Sequence, residues 1–255
     1  MRFRTKLNFR DIGGLETRDG RRLRSGLLFR SGSPASLNKS ERRAVQDLHL
    51  RCILDLRSKA EAEAYPDPSF PGVRMLQHAG VVSAGGEQID FSPAGMYQTG
   101  VDAEEQYERL LHYYGRMPFA NESFHVLMEA IRKRDVPLLF HCATGKDRTG
   151  VAAMIVEMAL NVGEDVLFAD YMASNHYHKQ ALARLLKAHA AETEGHPELE
   201  RLLKMRAGVI EEAGRHVLQK IKERDGDFDR YIKREYGWSD ADLKASRVFY
   251  STENG

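Results

Sequence analysis

Cys142 and Arg148 are the two residues of this sequence whose types and spacing most clearly predict chemistry. They lie six positions apart, and the residues between them are mostly small or charged. A cysteine thiolate is a nucleophile, and a guanidinium presents parallel donors that match two oxygens of a tetrahedral phosphoryl group. Together the two side chains predict nucleophilic attack on phosphorus.

A buried strand and a helix must position these two side chains. Residues 136–140 form a short apolar run, and residues 151–160 are apolar with good helix formers. The turn between them therefore meets a helix N-terminus, where unpaired amides and the helix dipole favour an anion. In this field we expect Cys142 to ionise near neutral pH. A structural cysteine after a core strand is the alternative, but it does not explain the polar residues at the start of an apolar helix.

The stretch from His141 to Gly150 resembles the phosphate loop of the protein tyrosine phosphatase superfamily. It is most similar to the bacterial and fungal tyrosine phosphatase family, whose loop carries Lys-Asp before the arginine. A cysteine and an arginine at this spacing also occur in rhodanese-like and arsenate-reductase-like loops. His141, Gly145 and Thr149 are present as well, and they favour phosphate chemistry over sulfur transfer.

Segments outside the loop extend this resemblance over nearly the whole chain. The matching segments are residues 8–11, 30–32, 55–57, 170–175 and 228–239. Residues 181–207 match least well. The resemblance therefore implies one phosphatase domain over residues 1–255, with residues 178–207 either a lid-like helical hairpin or a merely solvated one.

The resemblance implies hydrolysis of phosphomonoesters through a phosphocysteine on Cys142, without a metal or any other cofactor. The residues expected to bind the phosphate are Ala143, Thr144, Gly145, Lys146, Asp147 and Arg148. The resemblance also allows Asp147 to act as the general acid. Alternatively, Asp147 orients Arg148 or Lys146.

Four further residues are expected to support the loop. We expect His141 to organise it through hydrogen bonds, and Thr149 to donate its hydroxyl to the thiolate. Asp55 and Arg57 end a predicted strand, where they either line the site or form a buried ion pair that braces the loop.

Other carboxyl groups could also serve as the acid. Asp67, Asp90 and Asp102 precede the loop, as the acid does in other phosphatases of the superfamily, but none has a convincing sequence context. Tyr65-Pro66-Asp67 is interpreted as a turn. The histidines lack the spacing of metal ligands, so we predict no metal site.

Three substrate classes follow from the resemblance: phosphotyrosine, phosphoserine or phosphothreonine, and phosphoinositide. We place phosphotyrosine first. Phosphoinositide comes second, because Lys146 adds a positive charge to the loop that could bind a lipid head group. A binding module without activity is an alternative from another class. Such a module would lack the cysteine, the arginine or the glycine of the loop, and all three are present.

Composition excludes several other classes of protein. The chain has 255 residues, 42% of them hydrophobic, and a net charge of +1, so we expect a proper core and no nucleic-acid partner. No run approaches 18 apolar residues, and no apolar signal segment follows Met1, which predicts a soluble, cytoplasmic protein without stable membrane insertion. Export by a route without a signal stays open, and the oligomeric state is undetermined.

The two cysteines are too few to predict a disulfide framework. Cys52 is expected to be plain core. It could resolve an oxidised Cys142 only if the fold brought the two within disulfide reach, which we do not expect.

The expected fold is α/β and similar to that of the tyrosine phosphatases. A central, mostly parallel sheet is flanked by helices, and the region after Leu160 is enlarged and helical. We predict that Ser40 caps the first helix and that a separate helix covers residues 179–194.

Overall fold

A five-stranded sheet forms the centre of the computed structural model, which describes residues 3–4, 7–77 and 102–252. Its strands are β1 (Arg10–Asp11), β3 (Leu28–Ser31), β4 (Cys52–Asp55), β5 (Arg74–Gln77) and β6 (Leu138–His141). Their order is β1-β3-β6-β4-β5, and only β1 runs antiparallel to its neighbour. Two more strands, β2 (Arg22–Leu23) and β7 (Ser251–Thr252), pair with each other. The predicted α/β fold with a mostly parallel sheet is confirmed.

Strand β6 lies in the middle of the sheet, between β3 and β4. All four of its residues are buried, as expected of a parallel strand that is covered on both faces. Its carboxyl end points to the edge at which sheets of this type carry their sites. The predicted phosphate loop starts at that end.

Eleven α-helices are formed by the described residues. They are α1 (Lys39–Gln46), α2 (Lys59–Ala64), α3 (Ala103–Arg116), α4 (Glu122–Arg132), α5 (Asp147–Ala159), α6 (Glu164–Ala188), α7 (Ala190–Thr193), α8 (Pro197–Ala207), α9 (Glu211–Asp225), α10 (Phe228–Tyr236) and α11 (Asp240–Tyr250). The last six follow Leu160, which confirms the enlarged C-terminal helical region. In the part of the chain that the structure describes, no helix combines the length and the apolar character that a membrane crossing requires.

Helix α5 is the core helix of the domain. Every one of its thirteen residues is buried, and a helix with this burial needs neighbours on all sides. Helices α6 and α10 pack against it, and strands β3 and β6 approach it from the sheet. The burial fixes its N-terminus, and hence the end of the phosphate loop, relative to the sheet.

Two local predictions were wrong. Asn38, not Ser40, caps α1, because its side chain accepts from the amide of Glu41 at 2.9 Å while the Glu41 carboxylate accepts from the amide of Asn38 at 2.9 Å. The predicted separate helix at 179–194 is instead the end of α6, followed by the short α7. No glycine or proline interrupts residues 164–188, so nothing in that stretch ends the helix.

Residues 178–207 comprise the end of α6, α7 and α8. They form a helical hairpin that packs on the domain, because α8 buries Leu202, Leu203 and Met205 and contacts α6 and α3. A lid function for this hairpin stays a prediction.

Candidate active site

The phosphate loop connects β6 directly to α5. Residues 142–146 form the turn, Lys146 is the N-cap of α5, and Asp147 is its first residue. The predicted order of strand, loop and helix is confirmed. Cys142, at the start of the loop, is only 1% exposed.

Gly145 is the position at which the loop bends most sharply. Its φ is +71°, and a Cβ there would lie 2.4 Å from the carbonyl carbon of Ser31, so no other residue fits. The Gly145 carbonyl accepts from Asn8 Nδ2 at 2.7 Å and from Arg30 Nη2 at 3.1 Å. The N-terminal part of the chain therefore fixes the outline of the loop.

Arg148 is held by Glu61 of α2. Its Nη1 and Nη2 donate to the two carboxylate oxygens at 2.6 and 2.9 Å, and Nη1 also lies 3.4 Å from the Leu56 carbonyl. Glu61 accepts in addition from the amide of Ser58, which is the N-cap of α2. The guanidinium is thus oriented from one side by a carboxylate that is itself anchored to a helix.

Arg148 and Glu61 each stabilise the ionised form of the other. Burial alone would lower the pKa of Arg148, but Glu61 and the neighbouring Cys142 raise it above its ordinary value. Burial would likewise raise the pKa of Glu61, and the hydrogen bonds and charge of Arg148 lower it below its ordinary value. Both side chains are therefore ionised at neutral pH.

Asp147, the first residue of α5, is buried and bonds to two other side chains. Its Oδ1 accepts from the Tyr114 hydroxyl of α3 and from Lys146 Nζ at 2.9 Å, and its Oδ2 lies 2.8 Å from the same ammonium. Lys146 Nζ also donates to the Met205 carbonyl of α8 at 2.8 Å. Lys146 is 4% exposed, so its charge is directed into the protein.

Asp55 and Arg57 form a buried ion pair, the second of the two arrangements expected for them. Arg57 Nε and Nη2 bond to the Asp55 carboxylate at 2.7 to 3.0 Å, and Nη2 also bonds to Asp67 at 2.7 Å. His141 Nε2 lies 3.1 Å from the same Asp67 oxygen, and its Nδ1 lies 3.2 Å from the Cys142 carbonyl. The cluster links the strand end of β4 to the start of the loop.

Asp67, in the segment that we interpret as a turn, is also part of this cluster. Its side chain is 5% exposed and also accepts from the Ser33 hydroxyl and the Ala35 amide. Asp55, Asp67 and His141 place donor atoms within 4.8 Å of one another, which is close enough for a metal ion. The Arg57 guanidinium already occupies both carboxylates, so it supplies the positive charge of this cluster.

The remaining sequence candidates lie apart from the loop or outside the described residues. Asp102 caps α3 through its side chain, and Asp90 is not among the described residues.

Thr149 is fully buried next to Arg148, and its hydroxyl has no hydrogen-bond partner within the described part of the chain.

The two cysteines are both free and buried. Cys52 pairs in register with Leu138 of β6. Cys142 follows Leu138 by four residues, which corresponds to about 13 Å along the strand direction between the two cysteines. This exceeds the reach of a disulfide, as the sequence predicted.

A second charged cluster lies behind the loop. Asp170 of α6 accepts from Arg30 at 2.5 Å and from Arg10 at 2.7 Å. Burial alone would raise the pKa of Asp170, but these two arginines lower it, while burial and Asp170 together raise the pKa of the neighbouring Glu157 well above its ordinary value. Arg30 thereby links an ion pair in the core to the Gly145 carbonyl.

Sequence reasoning missed three residues that contact the loop. Glu61 had a usable signal, because Ser58-Lys59-Ala60-Glu61 is a capping-box pattern directly after the predicted strand. Tyr114 lies among the buried apolar positions of α3, and nothing in that helical pattern shows that its hydroxyl reaches Asp147. His178 was considered only as a metal ligand, yet its Nε2 lies 3.2 Å from the Thr144 carbonyl, and burial together with Lys146 lowers its pKa.

Tyr171 and Asn175 belong to the matching segment at 170–175. Tyr171 packs against Gly150, one turn into α5, because a Cβ on that glycine would lie 3.1 Å from its ring. Asn175 exchanges two hydrogen bonds of 2.8 Å with the backbone of Val209. Tyr171 therefore lies near the loop, and Asn175 fixes the connection between α8 and α9.

Comparisons with known proteins agree with this geometry. The model of the tyrosine phosphatase family matches residues 1–251. A protein of Cupriavidus necator named as a tyrosine-protein phosphatase is 32% identical, with 91% of this chain and 82% of that protein aligned. The triple specificity protein phosphatase PtpB of Mycobacterium tuberculosis is 28% identical over 94% of this chain and 95% of its own length.

Solved structures show weaker similarity. TpbA of P. aeruginosa, solved in complex with phosphotyrosine, has a TM-score of 0.34 and 17% identity over 60% of this chain and 71% of its own. The catalytic domain of the PP-IP phosphatase SIW14 of S. cerevisiae has a TM-score of 0.32 and 15% identity over 59% and 70%. Structural similarities with TM-scores this low support no conclusion about the substrate.

Proposed function

The chain belongs to the tyrosine phosphatase family, and we propose that it hydrolyses phosphotyrosine in proteins through a phosphocysteine on Cys142. The family match confirms the cysteine-dependent phosphatase activity that the sequence predicted. The assignment of individual residues is the part that we propose here.

The first step transfers the phosphoryl group to sulfur. The Cys142 thiolate attacks phosphorus in line, so that an S–P bond forms while the P–O bond to the leaving group breaks. The loop amides and the Arg148 guanidinium bind the equatorial oxygens as their charge redistributes. Asp147 gives the leaving oxygen its proton.

The second step regenerates the enzyme. A water molecule attacks phosphorus, the S–P bond breaks, and inorganic phosphate leaves. Asp147, now ionised, takes the proton from the attacking water. We assign Thr149 as the donor to the departing thiolate, because its buried hydroxyl is not bonded to any other group among the described residues.

The observation that carries this proposal is the arrangement of Arg148. Its guanidinium is fixed by Glu61 at 2.6 and 2.9 Å, at the end of the loop that starts with Cys142. An arginine held in this way needs no reorganisation when the phosphoryl group arrives.

Lys146 bears on the choice of substrate. We inferred phosphoinositides as the second substrate class from the charge of this lysine, but its ammonium bonds to Asp147 and to the Met205 carbonyl. The side chain is therefore not placed to bind a second phosphate, which supports phosphotyrosine as the first choice. The name of the related PtpB supports a broader specificity, so phosphoserine and phosphoinositide stay in the test.

Release of inorganic phosphate tests the proposal directly. Wild type and Cys142→Ser are compared, in the presence of a chelator, on a phosphotyrosine peptide, a phosphoserine peptide and a soluble phosphoinositide. We expect the wild type to act fastest on phosphotyrosine and the variant to be inactive on all three. Equal activity of the variant would exclude the cysteine mechanism, and faster release from the lipid head group would reverse the order of substrates.

Two other expectations from the sequence stay predictions. They are a single phosphatase domain over residues 1–255 and a cytoplasmic location.

A further inference from the structure

Tyr114 and Asp147 meet in the interior although they lie 33 residues apart in the sequence. The Tyr114 side chain is fully buried in α3, and its hydroxyl donates to Oδ1 of Asp147, which is itself only 6% exposed. The remaining partner of this carboxylate is Lys146, which contacts both oxygens. Asp147 thus accepts from one neutral donor and one cation.

These contacts affect the two protonation states of Asp147 differently. A donor that points at a carboxylate oxygen stabilises the ionised form and disfavours the protonated form. A general acid, however, must carry its proton when the leaving group departs. The donors around Asp147 therefore determine how far the pH can rise before the acid is lost.

We propose that Tyr114 is a positioning residue that orients Asp147 and sets the upper pH limit of its action as general acid, an inference that rests on the proposed function. Tyr114 reaches the leaving group only through Asp147 and does not itself contact the phosphoryl group. Burial and the charge of Asp147 raise the pKa of Tyr114 well above 10, so the phenol stays a proton donor throughout the working range of the enzyme.

Other titratable groups also face Asp147, from each element that packs around it. Among the described residues they are Lys146 and Arg148 at the start of α5, Tyr114 of α3, and Tyr171 and His178 of α6. The pKa of Arg148 is raised by Glu61 and Cys142, so Arg148 keeps its charge, and burial raises the pKa of Tyr171. His178 has a lowered pKa, because it is buried near Lys146, so it is already neutral where the alkaline limit is measured.

The test uses two substrates that differ in their need for an acid. An alkyl or unsubstituted phenyl phosphate needs a proton on its leaving oxygen, whereas a nitrophenyl phosphate does not. The pH dependence of kcat is measured for both with wild type and Tyr114→Phe, and Asp147→Asn is the reference without the acid. Phenylalanine keeps the ring in the core, so folding is preserved.

Tyr107→Phe is the matched control. Tyr107 lies in the same helix, is also buried, and also donates its hydroxyl to a carboxylate, that of Glu212, away from the loop. The Tyr107→Phe variant loses the same kind of hydrogen bond as Tyr114→Phe, and we expect the pH dependence of its kcat to match that of the wild type.

With the poor leaving group, we expect Tyr114→Phe to move the alkaline limb of kcat upward by about one pH unit, as the loss of one hydrogen bond to a carboxylate implies. With the good leaving group, we expect no shift. The same shift must be absent when Tyr114→Phe is introduced into Asp147→Asn.

Each other outcome contradicts the inference. An alkaline limb that stays in place in an active Tyr114→Phe, or an equal shift in Tyr107→Phe, shows that Tyr114 has only a structural role, while the phosphatase activity of the wild type still stands. A wild type that releases no phosphate from either substrate overturns the proposed function as well.

Discussion

Glu61 and Arg148 form an ion pair with two hydrogen bonds, across 87 residues of sequence. The pair joins the first turn of α2 to the end of the phosphate loop. Because Glu61 also accepts from the amide of Ser58, the capping of a six-residue helix and the geometry of the anion site depend on one carboxylate.

The charge of Glu61 is expected to support catalysis. In Glu61→Gln, the amide oxygen still caps α2, but the charge that orients Arg148 is lost. We expect kcat/KM for a phosphotyrosine peptide to fall by about 10- to 100-fold, which corresponds to roughly 1.4 to 2.8 kcal/mol. Glu63→Gln is the control, because Glu63 lies in the same helix with an exposed side chain 3.8 Å from Lys59. Equal losses in both variants would contradict the role of the ion pair.

Asp147→Asn tests the assignment of the general acid. We expect kcat to fall by about 100-fold or more on a poor leaving group, because general acids contribute roughly 10²- to 10⁴-fold, and to change little on a nitrophenyl phosphate. A leaving-group series measured at one pH is sufficient. A uniform loss across the series would assign Asp147 to the orientation of Lys146 or Arg148 instead.

Gly145→Ala should prevent the loop from adopting its native conformation. The φ of +71° already strains an alanine, and its Cβ would collide with the backbone at Ser31, so we expect about 2 to 5 kcal/mol of destabilisation and loss of activity. Gly195→Ala has a similar φ of +78° but open space around the Cβ, and should cost only about 1 kcal/mol. Urea unfolding and phosphate release measure the two effects, and similar values for both variants would exclude the steric explanation.

Glu41 gives a pH dependence to stability. Its hydrogen bond from Arg4 lowers the pKa of Glu41 to about 2, against roughly 4.3 in an unfolded chain. A depressed pKa adds stability above the unfolded value, and this stability is lost as the pH falls toward 2. Since Arg4 is 40% exposed, screening reduces the contribution to about 1 kcal/mol.

The corresponding measurement is urea unfolding of wild type and Glu41→Gln between pH 7 and pH 3. The variant should be less stable at pH 7, and the gap should narrow below pH 5. Glu104→Gln is the control, because its pair with Arg201 is about half exposed on both sides. A gap that is constant with pH would show that the carboxylate charge does not contribute.

The strand, loop and helix around Cys142 could be predicted because their signals are local. Apolar runs define the strand and the helix, and Gly145 with its flanking polar residues defines the turn. The ion pair of Asp55 and Arg57 was one of two arrangements that the sequence left open. The capping box at Ser58 marks Glu61 as a residue of the first helical turn, but its bonds to Arg148 depend on how α2 packs against the loop. The bond from Tyr114 to Asp147 likewise depends on the packing of α3.

The burial of Asp67 depends on contacts that are distant in the sequence. Asp67 follows a proline in a stretch typical of a turn, and only its contacts with Arg57 and His141 show that it is buried. The cap of α1 was misplaced by two residues, because Asn38 and Ser40 are both good capping residues. The glutamate at the capping-box spacing from Asn38 distinguishes them, since Ser40 has an arginine at that position.

The ion pair of Arg30 with Asp170 has a consequence for the synthesis of the protein. Arg30 leaves the ribosome 140 residues before its partner, which corresponds to roughly 10 s at ordinary rates of translation. Until Asp170 emerges, the arginine that supports the Gly145 carbonyl lacks its counter-charge, although Cys142 and Arg148 have already been made. The nascent chain therefore carries its nucleophile before it carries the support of its loop, and Arg30 gains its counter-charge only once α6 has been translated and docked.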